Sequence, residues 1–387
     1  MSIVSEIKKK LVEIKVNYLK KAQYKNVLEN LGSNIPQSDD FKNNDLEKCF
    51  RQKNVHTENN VITDRIIQAY NKAKKVQKTL PGAFQVGNEW LPIYENYMND
   101  IIIALNTLNK ADTNKIYENF MREGCSVGLH GLPFSMEDNF FNGKISRLNG
   151  DIYLLDSIYR YNHWKELTAN QYQVGDLYMP DYGNPYGYYI NNEFVRTGAE
   201  YFHYYATRIS ELIKGEKGRK VVVELGGGYG GLGYFLNKVI DDVTYVDFDL
   251  PENMALTAYY LMNCYPEKKI LLYGEDDFNE ESISEYDVII MPNFEVLNLP
   301  SGKADLVFNS YSLAEMSTET INTYITELKR ATKKHVFHVN HTIKSNSLKA
   351  DEFGIEDKDF KLVSKKPALW NLGRDSKMDE FEYLYSK

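Results

Sequence analysis

The chain has 387 residues, 43% of them hydrophobic, which is ample for a sizeable core and more than one domain usually takes. Its net charge of −8 excludes the broad basic surface of a bulk nucleic-acid binder, and no stretch approaches the roughly 20 apolar residues of a membrane span. Three cysteines, Cys49, Cys125 and Cys264, lie far apart with no C-x-x-C pair, so neither a disulfide framework nor a zinc module is indicated and a reducing cytoplasm is the expected setting.

In chain order, residues 3–31 carry Ile7, Leu11, Ile14 and Tyr18 at helical spacing, with lysines over much of the remaining surface. A basic amphipathic helix packed on the rest of its domain is expected, the alternative being docking on an acidic membrane surface or partner. Further helices are expected over 60–79 and 90–109, separated by the polar segment 33–45 and by Pro81-Gly82. The stretch 124–150, rich in Gly, Asn and Phe, reads as an irregular connection near a domain boundary. We therefore expect a mainly helical accessory or oligomerisation domain over 1–155, with a homo-oligomer as its natural consequence, and a second domain over 156–387.

Residues 178–189 form a glycine- and proline-rich loop with several tyrosines, read either as a ligand-lining loop, with Asn184 and Tyr186 touching the substrate, or as a turn-rich connector. A helix is expected from about 194 to 213, burying Phe202, Tyr205, Ala206, Ile209 and Ile213. Arg196, Glu200, His203 and Thr207 then share another face, expected to be solvated and held by ion pairs, or else to border the ligand crevice. From Lys220 onward strand and helix alternate, the pattern of a doubly wound α/β sheet. Strands are expected at 220–225, 243–248, 286–291, 304–309, 335–340, 360–365 and 380–385, and helices at 230–240, 252–264 and 318–331. The segment 269–285 has no assigned place in this pattern.

The chemistry gathers on the run from Lys220 to Gly233, a buried valine-rich strand that enters a loop with six glycines. Gly226, Gly228 and Gly231 satisfy G-x-G-x-x-G, a phosphate- or nucleotide-type signal at the carboxyl edge of a sheet. Glu224, immediately before the loop, is unfavourable beside a pyrophosphate and suits a cationic amino acid or a sulfonium. At the tip of the next strand, Asp247 and Asp249 each offer a carboxylate that can accept two ribose hydroxyls.

The spacing Glu224-x-Gly226-x-Gly228-x-Gly230 resembles the loop of class I S-adenosylmethionine (SAM) dependent methyltransferases, and Phe248-Asp249-Leu250-Pro251 resembles the FDLP element of small-molecule O-methyltransferases. With Gly183-Asn184-Pro185 and the run Asn309 to Glu315, residues 175–387 resemble the bacterial sugar O-methyltransferase family. The resemblance implies a Rossmann-like methyltransferase sheet and SAM as cofactor, with Asp249 favoured over Asp247 on the ribose and Asn293 and Phe294 beside adenine. It also implies cofactor contacts after the fourth strand, where Ser310 lies, with Tyr311 facing the acceptor together with Asn184, Tyr186 and Arg196. Ala314 stands where plant-type relatives carry a catalytic histidine, so that role does not transfer. A weakly acidic hydroxyl needs a base, for which Glu315, His341 and His203 are the candidates. His338 is expected to point into the layer packing. Asp276-Asp277 and Glu280-Glu281 offer oxygen ligands but read equally well as a solvated loop, and no metal is required.

The implied activity is methyl transfer from SAM to a hydroxyl of a sugar, in particular a nucleotide-activated sugar of the GDP-heptose type used for capsular polysaccharide or lipopolysaccharide. The alternatives are an NAD(P)-dependent nucleotide-sugar oxidoreductase or epimerase and a non-catalytic assembly module.

Overall fold

The computed structural model describes residue 22 and residues 46–51, 59–129, 145, 147–343, 347–368, 370 and 379–387. The helix expected over 3–31, the segment 33–45 and most of the connection 124–150 lie outside the described residues. The first half contains α1 (Leu46–Cys49), α2 (Asn60–Gln77), α3 (Trp90–Asn96), α4 (Asn99–Asn106), α5 (Lys110–Tyr117) and α6 (Arg147–Leu167). α2 starts where the Asn59 side chain accepts from the Ile62 amide at 3.3 Å, and it buries Ile62, Ile66, Ile67, Tyr70 and Ala73 along one face. The single helix expected over 90–109 is two. Met98 turns into the core, and its amide bonds back to the Ile93 carbonyl at 3.1 Å, which breaks the helical register between α3 and α4. The boundary expected at 155/156 falls within α6.

A hairpin follows, β1 (Gly187–Ile190) against β2 (Glu193–Arg196), closed by Asn191 and Asn192 at φ 50 and 69°. Two asparagines in the left-handed region between β-branched and aromatic residues make a two-residue turn of the twist a hairpin prefers. The helix expected from 194 therefore starts later, as α7 (Ala199–Ile213), behind Gly198 at φ 85°. The face of Arg196, Glu200, His203 and Thr207 is neither solvated nor on the crevice. All four are buried: α6 packs on α7 and sets Trp164 against His203, whereas Arg196 lies on β2, before the helix.

The remaining elements are β3 (Lys220–Leu225), α8 (Gly231–Val239), β4 (Val243–Asp249), α9 (Pro251–Cys264), β5 (Ile270–Leu272), α10 (Glu280–Glu285), β6 (Val288–Pro292), β7 (Ala304–Ser310), α11 (Thr318–Ala331), β8 (Thr332–His341), β9 (Lys361–Pro367) and β10 (Glu380–Ser386). One sheet holds eight of the strands in the order β5-β6-β4-β3-β7-β8-β10-β9. Pairing is parallel from β5 to β8, while β10 runs antiparallel between β8 and β9. This is the expected doubly wound, Rossmann-like α/β architecture, with the previously unplaced segment forming the edge strand β5 and α10. The chain leaves β3 toward β4 and returns to pair β7 on its other side, which opens a crevice at the carboxyl ends of β3, β4 and β7. The inserted antiparallel β10 departs from the 3-2-1-4-5-6 order of dinucleotide-binding sheets.

Helices of the first half share the core of the sheet. Ile66 and Tyr70 of α2 belong to the same hydrophobic cluster as Val222 of β3 and Leu261 of α9, and α2 packs lengthwise on α9. His338, in the middle of β8, is buried and stacked on Tyr383, 4.6 Å between centroids, in the layer packing as expected.

Candidate active site

Parallel register brings the strand tips to one edge. Glu224 pairs with Asp247, Leu225 with both Phe248 and Asn309, and Asp249 with Pro292, so the turns that follow open onto the same space. That space is a cavity of about 850 Å³, lined by Glu224, Gly226, Gly228, Asp249, Asn293, Ser310, Tyr311 and Glu315 among the expected site residues.

The loop after β3 is held from below. The Gly227 amide donates to Asp247 Oδ1 and the Gly228 amide to Asp249 Oδ2, both at 3.0 Å. Gly226 sits at φ 80°, and a Cβ on Gly227 would lie 2.5 Å from Asp247 Oδ1, so the carboxylate occupies the space a side chain would need. Asp247 thus braces the loop and lies outside the cavity lining, unlike Asp249. Gly230, at φ 88°, starts α8 and also lies outside the lining. Asp249 Oδ1 accepts from the Leu250 amide at 2.7 Å and from Asn253 Nδ2 at 3.1 Å, which ties the tip of β4 to the first turn of α9.

Glu224 is buried and accepts a 2.5 Å hydrogen bond from the Tyr245 hydroxyl. Burial pushes its carboxyl up to about 8, with the charge of Asp249 acting in the same direction and the Tyr245 bond opposing both. Burial likewise lifts Asp249 to about 6 against its three hydrogen bonds, and raises Asp247 well above the carboxylate range. Near neutral pH Glu224 therefore keeps its proton until a cation arrives to favour the charged form, whereas Asp249 is already largely ionised.

Around the rest of the cavity, Asn293 donates through Nδ2 to the Phe84 carbonyl at 3.2 Å and to the Tyr324 hydroxyl at 2.9 Å. With the amide so oriented, its buried Oδ1 has no protein partner, and the same holds for Oδ1 of Asn253. Both residues line the cavity, so two acceptors await donors from a ligand. Phe294, expected beside adenine, is buried edge-on to Tyr273 and does not line the cavity. After β7 the backbone turns sharply at Tyr311, at φ 63°, a conformation a tyrosine holds only under constraint. The constraint is visible: the Tyr311 amide donates to the Val339 carbonyl and its hydroxyl to Glu380 Oε2, both at 2.8 Å. Glu315 Oε2 accepts from Trp90 Nε1 at 2.9 Å.

Several expected site residues belong elsewhere. His203 is buried beneath α8, its Nδ1 accepting from Trp164 Nε1 at 3.1 Å, and burial lowers it to about 4, so it is a neutral core imidazole outside the cavity. Asn184, at φ 54°, bonds Asn119, while Tyr186 stacks on Phe50, so the Gly-Asn-Pro loop is a joint with the helical half rather than a cavity wall. Arg196 is 1% exposed, with its guanidinium 4.9 Å from the ring centres of both Tyr229 and Tyr260 and 5.5 Å from that of Phe120. It is a caged structural cation. His341 lies at the end of β8 behind Tyr311, ring centres 5.3 Å apart, with Nδ1 3.1 Å from Asp379 Oδ2. It does not line the cavity. Glu280 pairs with Lys303 and Asp276 accepts from the Tyr286 hydroxyl, so the two acidic pairs do not converge.

Sequence reasoning missed Asn253, Arg160, Tyr201, Trp370 and, Phe84 excepted, the segment 82–90, all of which contribute to the lining. Asn253 was within reach, since it lies one helical turn after Asp249. The segment 82–90 carried no local signal of a site, because its partners across the cavity, Asn293 and Glu315, are more than 200 residues away in the chain.

No family model matches the chain, and no curated protein matches it. Many solved structures do. They include magnesium protoporphyrin IX methyltransferase from Synechocystis with bound SAM, at 11% identity and TM-score 0.35, over 62% of this chain and 96% of that one. A TehB-like SAM-dependent methyltransferase from Corynebacterium glutamicum matches at 12% identity and TM-score 0.32, over 60% of this chain and 97% of that one. The N-methyltransferase NodS from Bradyrhizobium japonicum, with S-adenosylhomocysteine, matches at 11% and 0.32, over 47% of this chain and 85% of that one. Likeness this distant leaves the fold resting on strand order and register. Among the described residues no helix is long and apolar enough to cross a membrane.

Proposed function

We propose that the chain is a SAM-dependent O-methyltransferase acting on a hydroxyl of a sugar, in particular a nucleotide-activated one. The observation that carries the cofactor is the charge of the cavity. Among the described residues Glu89, Glu224, Asp249 and Glu315 line it against one guanidinium, Arg160. A sulfonium and an α-ammonium are welcome there, whereas the pyrophosphate of NAD(P) would add two negative charges beside these carboxylates.

The residues fit SAM. Asp249 and the Oδ1 of Asn253 would take the ribose hydroxyls, the Oδ1 of Asn293 the adenine amine, and Glu224 with the glycine loop the amino-acid end. When bound, SAM supplies a methyl group on a positively charged sulfur. Glu315, in the cavity and oriented by Trp90, is placed to receive the acceptor's proton, and Ser310 and Tyr311 to orient the acceptor. The choice of a sugar rests on the family resemblance, together with the aromatic rings of Tyr201, Tyr311 and Trp370 that suit a sugar face.

Calorimetric titration with S-adenosylhomocysteine tests the cofactor. One site per chain is expected, weakened about tenfold or more by Asp249→Ala, the order of a lost charge-assisted hydrogen bond. Absence of binding to the intact protein ends this reading, and binding that the variant leaves unchanged removes Asp249 from the site. For the acceptor, candidate nucleotide sugars incubated with SAM are examined by mass spectrometry for the gain of one methyl group.

A further inference from the structure

One buried carboxylate ties the helical first half to the cofactor-facing turn. Glu252, the second residue of α9, is 2% exposed, and it meets three donors from two helices of that half. Lys74 Nζ lies 2.9 Å away and the Tyr70 hydroxyl 3.3 Å away, both on α2, and the Tyr94 hydroxyl of α3 donates at 2.8 Å. Glu252 is flanked by the two ribose-facing groups, Asp249 before it and Asn253 after it, which are themselves hydrogen-bonded to each other. Between α2 and α3 runs a strap, residues 82–90, of which all but Phe84 line the cavity. The strap is pinned at one end by Asn293, which donates to the Phe84 carbonyl, and at the other by Trp90, which donates to Glu315. Inside it, Gln77 Nε2 holds the Phe84 carbonyl at 2.8 Å and Gln85 Nε2 the Leu80 carbonyl at 2.9 Å.

We propose that Glu252 is a positioning residue of the cofactor site, coupling the strap 82–90 to the turn that carries Asp249 and Asn253, so that ligand binding and strap closure are one equilibrium. The inference rests on the SAM reading. The strap's pin at Asn293 is also the group offered to the adenine of the cofactor, and its pin at Glu315 the group offered to the acceptor. A ligand that engages them organises the strap, and a strap released at Glu252 leaves Asp249 and Asn253 free to drift from the ribose. By reciprocity the ligand tightens the strap by the same factor with which the closed strap tightens the ligand.

The test uses the full chain with S-adenosylhomocysteine as probe, hydrogen exchange along 82–90 and Trp90 emission. Saturating probe is expected to slow exchange of these amides about tenfold or more and to shift the emission, with Trp90→Phe identifying the signal. Glu252→Gln keeps the volume and removes the charge. It is expected to bind the probe about tenfold more weakly and to lose the probe-dependent protection of the strap, a readout that a merely structural role leaves intact. Tyr94→Phe, a milder change, is expected to show a smaller effect of the same sign, and it decides the matter if Glu252→Gln does not fold. Probe binding to the parent protein without protection of 82–90, or a folded variant that binds and protects like the parent, overturns the coupling alone. Failure of the parent protein to bind the probe removes the SAM reading and the inference with it.

Discussion

At the scale of residues, Glu224 carries the sharpest consequence. A carboxyl raised to about 8 binds its proton more tightly in the folded protein than in the unfolded chain, so folding stability falls as pH rises from the ordinary carboxylate range to about 8. Glu200, lifted by burial to about 7, acts in the same direction, while the buried imidazoles His203 and His338, held near 4 and 3, oppose it only below about pH 6.5. Between pH 6.5 and 8 the empty protein should therefore lose stability, on the order of 1 kcal/mol per pH unit from Glu224, with Glu200 adding to it only up to about pH 7. Glu224→Gln should flatten the slope, as followed by thermal melts. Because the α-ammonium of the ligand favours the ionised carboxylate, S-adenosylhomocysteine should bind progressively better up to about pH 8, and Glu224→Gln should remove that trend. The presence of a carboxylate before the glycines was legible in the sequence. Its burial, its bond to Tyr245 and hence its protonation were not, since they depend on the register of β4 against β3 and on what covers the sheet.

At the scale of elements, the loop after β3 works as a backbone cradle braced by Asp247. Gly227→Ala puts a methyl group against that carboxylate, and overpacking of this kind costs about 1–3 kcal/mol. Calorimetry should show probe binding lost with the fold retained, whereas normal affinity would mean that the loop yields without consequence. The strands and helices of the sheet were readable from their apolar runs and periodicity, because each such element must bury a continuous face. The hairpin was missed although Asn191-Asn192 announces a two-residue turn, and the split at Met98 has no local cue. The face containing His203 is neither the solvated face nor the crevice border that the sequence suggests, for a physical reason: polar residues at helical spacing look alike whether water, a ligand or a second helix covers them, and here α6 sets Trp164 against His203.

At the scale of the whole molecule, the described helices of the first half and the sheet share one core, with Tyr70, Lys74 and Tyr94 gripping the start of α9. Heating should therefore melt the two together, in a single calorimetric transition that S-adenosylhomocysteine raises by mass action, by about 2.7 kcal/mol at a hundred times its dissociation constant. Two transitions, only one of them responsive to the ligand, would separate the halves. The sequence by itself determined the strands and helices after Lys220 other than β5 and α10, the glycine loop and the carboxylates flanking it, because these follow from local periodicity and from conformations that few residues adopt. Tertiary structure alone decided that Asp247 braces the glycine loop, that His203 is core, and that a strap from the helical half lines the site. Those outcomes depend on register between strands and on contacts across more than 150 residues of chain, and no local pattern encodes them.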